Sequence, residues 1–415
     1  MASNELLTIG MITKEALRIL KNQLGFTRRV TRKYDPQFAR GGAKIGETLN
    51  IRRPVRYNIS TGAPISIQNQ TDQIVPLTLD KQKHVAFEFS SKELALNIDM
   101  FADRYLKPGI VSLANQIDFD GLALVKEVPN SVGTPGTTPA SLLTYLQAGQ
   151  RLSENGCPVD DMRTVCINPN AEASIVDALK GLYQSSDMVA QQYEKGVMGR
   201  TAGFEFMMDQ NVRTCLVGNY SGTPLVNGAN QSGGVLKTDG WSSNNVENLL
   251  RKGDIITIAG VHSVNPQNRR STGALRQFVV LEDLSEDATG ALDLPIYPEI
   301  HASGKYQTVD AVPANNAAIT VLGTERTHYV HNIAFHKDAF ALGMADLPLP
   351  VGSSDMAARA VDADAGLSLR IVKQYDISKD QFPCRIDVLY GWAAVHPELA
   401  CRIVGESEGQ DPEPV

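Results

Sequence analysis

Between residues 49 and 89 the sequence alternates with period two over a longer stretch than a self-sufficient strand uses. Leu49, Ile51, Val55, Tyr57 and Ile59 alternate with Asn50, Arg52, Arg56 and Asn58. Further on, Val75, Leu77, Leu79, Val85, Phe87 and Phe89 share one parity, with Thr78, Asp80, Gln82, His84 and Glu88 on the other. Such alternation gives each strand one apolar and one polar face. The turn-rich STGAPISIQNQTDQ between the runs predicts a long hairpin. A run of about fifteen residues at ~3.3 Å each reaches roughly 50 Å, and a two-stranded ribbon alone is marginally stable in water. Its apolar face needs a neighbour. A sheet of the same chain is the commoner solution for hairpins, but the length and polar tip favour a ribbon laid across an adjacent subunit.

Charge is unevenly placed along the chain. The 415 residues carry 39 Lys+Arg and 46 Asp+Glu, a net charge of -7. Residues 1–56 alone hold 12 Lys+Arg against 4 Asp+Glu, which leaves -15 for the remainder. Within this basic segment Ile9, Ile12, Ala16, Ile19, Leu20 and Leu24 recur at helical spacing, with Lys14, Arg18 and Lys21 on the opposite face. An amphipathic helix over residues 6–24 is predicted. Behind it, Phe26 to Ala43, with Arg28, Arg29, Arg32, Lys33 and Arg40, reads as a tether. The alternative is a helix packed on its own domain; an arm reaching another chain or partner is favoured. The opposite end, GESEGQDPEPV, has four acids and no base, the composition of a solvated tail. Oppositely charged ends invite contacts between copies, although uneven surface charge is the simplest account.

Length predicts two or three domains. With 42% hydrophobic and 20% charged residues, the composition excludes collagen-like, mucin-like and largely disordered chains. The longest apolar stretch, Val388 to Val395, is far too short to span a bilayer, and the N-terminus lacks the pattern of a secretory signal. Five separated cysteines, none in a C-x-x-C pair, suggest reduced and buried thiols.

Residues 91–106 are helix-compatible, and Pro108 fits the first turn of a spine helix carrying Ile110, Leu113, Ile117 and Leu124. Thr138 as N-cap, Pro139 at N1 and Gly156 as a stop bracket the next helix. A buried strand Thr164 to Ile167 then meets Asn168 and Pro169, which cap a helix running to Tyr183. Near Val217 the texture changes to turn-rich sequence with the strands DIITIAGV, LRQFVVL and AAITVL, implying an inserted all-β module. The parent domain resumes near Thr327 and ends with strands Leu367 to Gln374 and Cys384 to Ala394.

Catalytic signatures are lacking: there is no GxxxxGK[ST] loop, no GxGxxG after a strand and no GxSxG elbow. His328, His331 and His336 with Asp338 are the best metal candidates, but their spacing fits no established site. The acids Glu282, Asp283, Glu286 and Asp287 lack the EF-hand glycine, and Asp362 with Asp364 is equally unconvincing. The N-x-[ST] matches at Asn58, Asn69, Asn219 and Asn230 are chance occurrences without a secretory signal. No enzyme activity, cofactor or metal is expected.

The segments RKGDIITIAGVHSVNPQNRRSTGALRQFVV (Arg251 to Val280), HNIAFHKDAFALGMADLPLP (His331 to Pro350) and GLSLRIVKQYDISKDQFPCRIDVLYGWAAVHPELACRIVG (Gly366 to Gly405) resemble, in order and spacing, the major capsid (coat) proteins of short-tailed bacteriophages that carry an inserted domain. The resemblance implies an α+β chain of the Hong Kong 97-type capsid fold. Its parts would be an N-terminal basic arm (1–40), an extended hairpin loop (41–90) and a peripheral domain with its spine helix (91–137). An axial domain in two parts (138–216 and 327–365), an inserted small β-barrel domain (217–326), closing strands of the peripheral domain (366–404) and the acidic tail (405–415) would complete it. It also implies self-assembly into pentamers and hexamers of an icosahedral shell, with a scaffolding protein, a portal protein and packaged double-stranded DNA as partners and no membrane. Assembly would occur in the bacterial host cytoplasm, and the product would be the virion capsid. Arg28, Arg29, Arg32 and Lys33 on the arm, Arg52 and Arg56 on the hairpin, and Asp239 and Asn244 in the polar segment Thr238 to Asn245 are the expected assembly or partner contacts. The segment Thr238 to Asn245 corresponds only in position to the family's intersubunit loop. Two other readings compete: a carbohydrate-binding or capsid-decoration protein built on residues 217–326, and a metal-dependent hydrolase in which the three histidines converge.

Overall fold

A computed structural model describes residues 9–32, 48–57, 59, 62, 67–70, 72–90, 106–179, 200–242, 246–285, 289–350, 356–362 and 366–408. Residues 91–105 of the helix predicted over 91–106, Lys33, Asn244 and residues 409–415 of the tail lie outside the described residues. In chain order the first elements are helix α1 (Ile9–Gln23) and strands β1 (Thr48–Arg52), β2 (Ile74–Thr78) and β3 (Lys81–Ser90). Helix α2 (Lys107–Leu122), β4 (Ser131–Val132), α3 (Leu142–Glu154), β5 (Arg163–Ile167) and α4 (Pro169–Leu179) follow. Next come β6 (Arg200–Thr201), β7 (Phe204–Met208), β8 (Thr214–Leu216), β9 (Gly222–Val226), β10 (Gly233–Trp241) and β11 (Ile255–Val264). Then β12 (Ser271–Val280), β13 (Leu292–Ile300), β14 (Ile319–Val321), β15 (His328–His336) and β16 (Phe340–Met344). The last strands are β17 (Ala357–Asp362), β18 (Leu367–Lys373), β19 (Gln381–Ala394) and β20 (Ala400–Ser407).

The chain divides into two units, the first comprising residues 1–52, 74–121 and 340–395 and the second 53–73, 122–339 and 396–415. In the first unit a five-stranded sheet runs β16-β19-β18-β17, with β3 paired to β19. This departs from the single ribbon expected over residues 49–89. Only β1 and β2 pair as a hairpin, in the register Leu49↔Leu77 and Ile51↔Val75. β3 leaves them to run antiparallel to β19, from Gln381↔Ser90 to Tyr390↔Lys81. The apolar face of β1 and β2 is covered within the chain: Ile51 and Leu77 pack with Ala341, Ala393 and Val395. The commoner solution, a sheet of the same chain, therefore serves the base of the ribbon. Alternation specifies which face is apolar, not which strand supplies the cover.

The basic arm also differs from a tether. α1 buries Ala16 and Leu20, Leu24 is buried just behind it, and the helix packs on β17 and β18 of the same unit. After it, Phe26 and Thr27 are buried in one turn of 3-10 helix. The Asp118 carboxylate of α2 accepts from the Gly25 and Thr27 backbone N–H groups and from the Thr27 hydroxyl, at 2.7, 2.9 and 2.5 Å. Thr31 then donates to Phe340 O and accepts from Leu342 N, extending the edge of β16. An apolar Phe26 among Phe340 and Trp392 rings, 5.8 and 5.6 Å between centroids, outweighs the basic side chains flanking it. Residues 26–32 are thus bound to their own unit.

In the second unit the order β4-β20-β15-β5-β7-β6, with β8 on β15, makes a seven-stranded sheet. β20 lies here between β15 and β4, not with the closing strands β18 and β19. The strand also carries Gly405–Ser407, assigned from sequence to the solvated tail. Helices α3 and α4 cover the sheet through Tyr145, Leu152 and Ile175. α3 begins three residues later than Thr138 and Pro139 predicted. Ser141 is its N-cap, accepting from Leu143 N, because the Pro139 carbonyl is taken by the Tyr145 hydroxyl at 3.0 Å. Gly156 follows the helix at φ +77, as a C-terminal stop requires. Asn168 caps α4, its side chain accepting from Ala171 N.

The β module is a six-stranded sheet, β14-β11-β12-β13-β10-β9, closed into a barrel by the bridge Leu225↔Ala318. Val226, Leu236, Phe278, Leu294 and Ile296 fill its core. The module springs from a hairpin of the parent sheet. β8 pairs β15 through His328↔Leu216, Val217 N donates to Thr327 O and Arg326 N to Gly218 O, and the barrel occupies the turn.

Candidate assembly surfaces

The expected contact residues that are described fall in both units and are taken unit by unit. In the first unit, Arg28 is exposed, while Arg29 Nη1 donates to Gly25 O at 3.3 Å, tying it to the turn behind α1. Arg32 is half-buried, and burial lowers its guanidinium from the ordinary value, Asp362 opposing and Arg28 adding to the shift. Arg52 is exposed at the end of β1.

Asp239 belongs to the second unit and lies within β10, paired with Leu225, rather than in a loop. The reason is its flanking residues: the Trp241 indole donates to the Thr238 hydroxyl at 2.8 Å, and that hydroxyl donates to Leu292 O at 2.8 Å, so the segment is anchored in the barrel.

Arg56 approaches a polar cluster that sequence reasoning missed. Glu398 lies 3.8 Å from Arg56 and accepts from the Tyr297 hydroxyl at 2.7 Å; Arg53 in turn donates to that hydroxyl at 3.1 Å. Burial pushes the Glu398 carboxyl up, but His396 and Arg53 outweigh it and hold it at about 2. Beside it, Arg276 of β12 is buried and brought down to about 10 by that burial. Its Nη1 donates to Asn155 Oδ1 at 3.0 Å. Asn155 donates to Asn130 Oδ1 at 3.2 Å, and Asn130 donates to the carbonyls of Glu398 and Ala400 at 3.1 and 2.9 Å. The chain of amides pins the barrel to the C-cap of α3 and the start of β20. Burial made its polar groups find one another; no local sequence pattern could announce partners so far apart.

Apolar side chains stand uncovered beside this cluster. Tyr57, Ile59 and Ile67 are 57%, 96% and 90% exposed. Backbone carbonyls of the same segment meet the barrel: Arg269 donates to Tyr57 O at 3.1 Å and Lys305 to Asn69 O at 2.7 Å. Among the described residues, the segment is held at the backbone carbonyls of Tyr57 and Asn69 and bare at Ile59 and Ile67.

The histidines do not gather. His336 Nε2 is 3.2 Å from Asp160 and Nδ1 accepts from Asp338 N at 3.3 Å. His331 is buried, and burial, Arg402 and Lys126 together hold its pKa well below the ordinary value. Among the described residues no three His, Cys, Asp or Glu side chains are placed to hold a metal ion.

Residues 1–405 match the P22 coat protein family (gene protein 5). A curated relative, the major capsid protein of Acyrthosiphon pisum secondary endosymbiont phage 1, is 22% identical over 343 residues, covering 77% of this chain and 79% of that protein. Among solved structures, that of Mycobacterium phage Che8 is similar over 92% of this chain and 90% of its own, at 12% identity and a TM-score of 0.45. The CUS-3 coat protein I-domain shares 27% identity over 24% of this chain and 95% of its own, with a TM-score of 0.19. The match to the family spans nearly the whole sequence, accords with the α+β architecture described above, and brings with it self-assembly into a multimeric shell and a place in the virion. The chain belongs to the P22 coat protein family and is a structural subunit of a tailed-phage capsid, not an enzyme.

Proposed function

We propose that Tyr57, Ile59 and Ile67 are covered by a neighbouring copy, and that this contact joins copies into the pentamers and hexamers of an icosahedral shell. The nearly complete exposure of Ile59 and Ile67 carries the reading. Burying one such side chain is worth about 1.5–3 kcal/mol. A contact of that size is weak singly and strong when repeated around a closed shell, which suits assembly that must correct its errors.

The same reading takes in further partners, for which the charge distribution and the family give support. A scaffolding protein guides assembly in the host cytoplasm, a portal protein occupies one position of the shell, and double-stranded DNA is packaged inside it. Among the described arm residues of the Phe26–Arg32 stretch, exposed Arg28 is best placed for an acidic partner, while the net -15 outside residues 1–56 restricts DNA contact to local basic patches. Within each copy, an N-terminal arm, a hairpin loop, peripheral and axial domains and an inserted barrel divide the labour.

Sedimentation velocity and negative-stain imaging of the full-length protein, with and without a co-expressed scaffolding protein, test this reading. Closed particles or large rings are expected. A stable monomer under both conditions would reject it.

A further inference from the structure

The sequence contains two Asn-Gly pairs, Asn155–Gly156 and Asn227–Gly228. An asparagine carboxamide is among the thermally labile groups of a protein, and a following glycine has no Cβ to keep its backbone nitrogen away from the carboxamide carbon. By sequence the two pairs are equally exposed to this chemistry. Their settings differ.

Asn155, at the C-cap of α3, is engaged on every side. Its Nδ2 donates to Asn130 Oδ1 and Arg151 O, at 3.2 and 2.8 Å, and its Oδ1 accepts from Arg276 Nη1 at 3.0 Å. The nitrogen that would attack it, Gly156 N, donates to Ser153 O at 3.0 Å. Asn227 stands in the turn between β9 and β10 of the barrel and is exposed. Among the described residues its carboxamide makes no hydrogen bond. Gly228 follows at φ +101, a conformation that glycine adopts without strain. Its N–H donates to Asn315 Oδ1 at 2.8 Å.

We propose that Asn227 is a self-modifying site that deamidates through a cyclic imide with Gly228, and that Asn155 is protected by its hydrogen bonds. Gly228 N gives its proton to a solvent base and bonds to Asn227 Cγ. The Cγ–Nδ2 bond breaks, and the departing nitrogen takes up a proton and leaves as ammonia. Water then opens the imide at either carbonyl, giving aspartate or isoaspartate at position 227. One water enters, one ammonia leaves, and nothing is oxidised or reduced. Asn315 is a positioning residue that slows the first step, because its hydrogen bond must open before Gly228 N can turn to the carboxamide. The aspartate product adds a negative charge beside Lys237, whose carbonyl accepts from Asn227 N at 3.0 Å. The isoaspartate product lengthens the backbone within a clasp in which Gln231 Nε2 donates to the carbonyls of Asn227, Gly228 and Lys237, at 2.9, 3.1 and 3.0 Å. The turn thus records the age of the subunit in its charge and its geometry.

The test is incubation of the purified full-length protein in mildly alkaline buffer, followed by digestion at acidic pH and peptide mapping by mass spectrometry, with aspartate and isoaspartate peptides separated by chromatography. In the folded protein Asn227 should convert at least about tenfold faster than Asn155, since the latter must break several hydrogen bonds first. In concentrated urea the two should convert at equal rates. Asn315→Ala, at an exposed position, should speed conversion of Asn227 about fivefold, and Asn227→Gln should abolish it at that position. An intact Asn227 in the incubated protein, equal conversion of Asn155 and Asn227 in the folded state, or an unchanged rate in Asn315→Ala would overturn the proposal.

Discussion

Gly343 and Gly391 lie directly opposite each other on β16 and β19, and the end of β2 passes over both. A Cβ on Gly343 would sit 2.7 Å from Leu77 Cδ2, and one on Gly391 would collide with the carbonyl oxygen of Thr78. The absence of two side chains lets a ribbon lie flat on a sheet. Gly391→Ala must displace backbone, so a loss of about 3 kcal/mol or more is expected from urea unfolding. Gly10→Ala on α1, where a Cβ meets nothing within 4 Å, should be neutral or up to about 1 kcal/mol more stable.

Asp118 holds the turn after α1 with three hydrogen bonds. Asp118→Ala leaves buried donors unsatisfied and should cost about 2–4 kcal/mol. Limited trypsin digestion gives a local readout: cleavage after Arg28, Arg29 or Arg32 should accelerate in the variant before the rest of the chain is cut.

The Glu398 carboxyl, held at about 2 in the folded protein, sits near 4.5 when unfolded. Its contribution is therefore present above pH 4.5 and lost as pH falls toward 2. Glu398→Gln should be less stable by about 3 kcal/mol at pH 7, and the difference from the parent should shrink toward zero by pH 2–3 in urea titrations.

Asp254 has the opposite sign. Burial raises its carboxyl to about 6 in the folded state, so the folded protein holds this proton more tightly than the unfolded chain. The stabilising contribution is complete below the unfolded value near 3.8 and disappears as pH rises through 6. Relative to the parent, Asp254→Asn should gain up to about 3 kcal/mol between pH 4 and pH 8, measured as the change in urea midpoint.

Ile59→Asp and Ile67→Asp alter side chains that the subunit itself does not cover. Unfolding of the isolated subunit should move by less than about 0.5 kcal/mol. Assembly followed by light scattering should fall at least tenfold in yield.

Local signals in the sequence located much of the secondary structure. The stripe Ala16, Leu20 and Leu24 marks α1, Asn168 and Pro169 mark the start of α4, and Gly156 marks the end of α3, because each feature acts within a few residues. Partner choice was not legible. Residues 75–89 keep one parity while β2 and β3 go to different sheets, and β20 follows β19 closely in sequence but joins β15. Pairing of this kind is decided by surfaces distant along the chain. The same holds for the contact residues. Arg28 is exposed as expected, whereas Asp239 is fixed by Thr238 and Trp241, and the Asn130–Asn155–Arg276 chain joins residues that share no motif.

The pairing of β8 with β15 continues through Val217–Thr327 and Gly218–Arg326, so the barrel begins and ends on neighbouring strands, about 5 Å apart. To the parent sheet, more than a hundred residues count as one tight turn. Such a junction is a graft point: a different domain with adjacent termini could take the place of the barrel without shifting the register of a single parental strand.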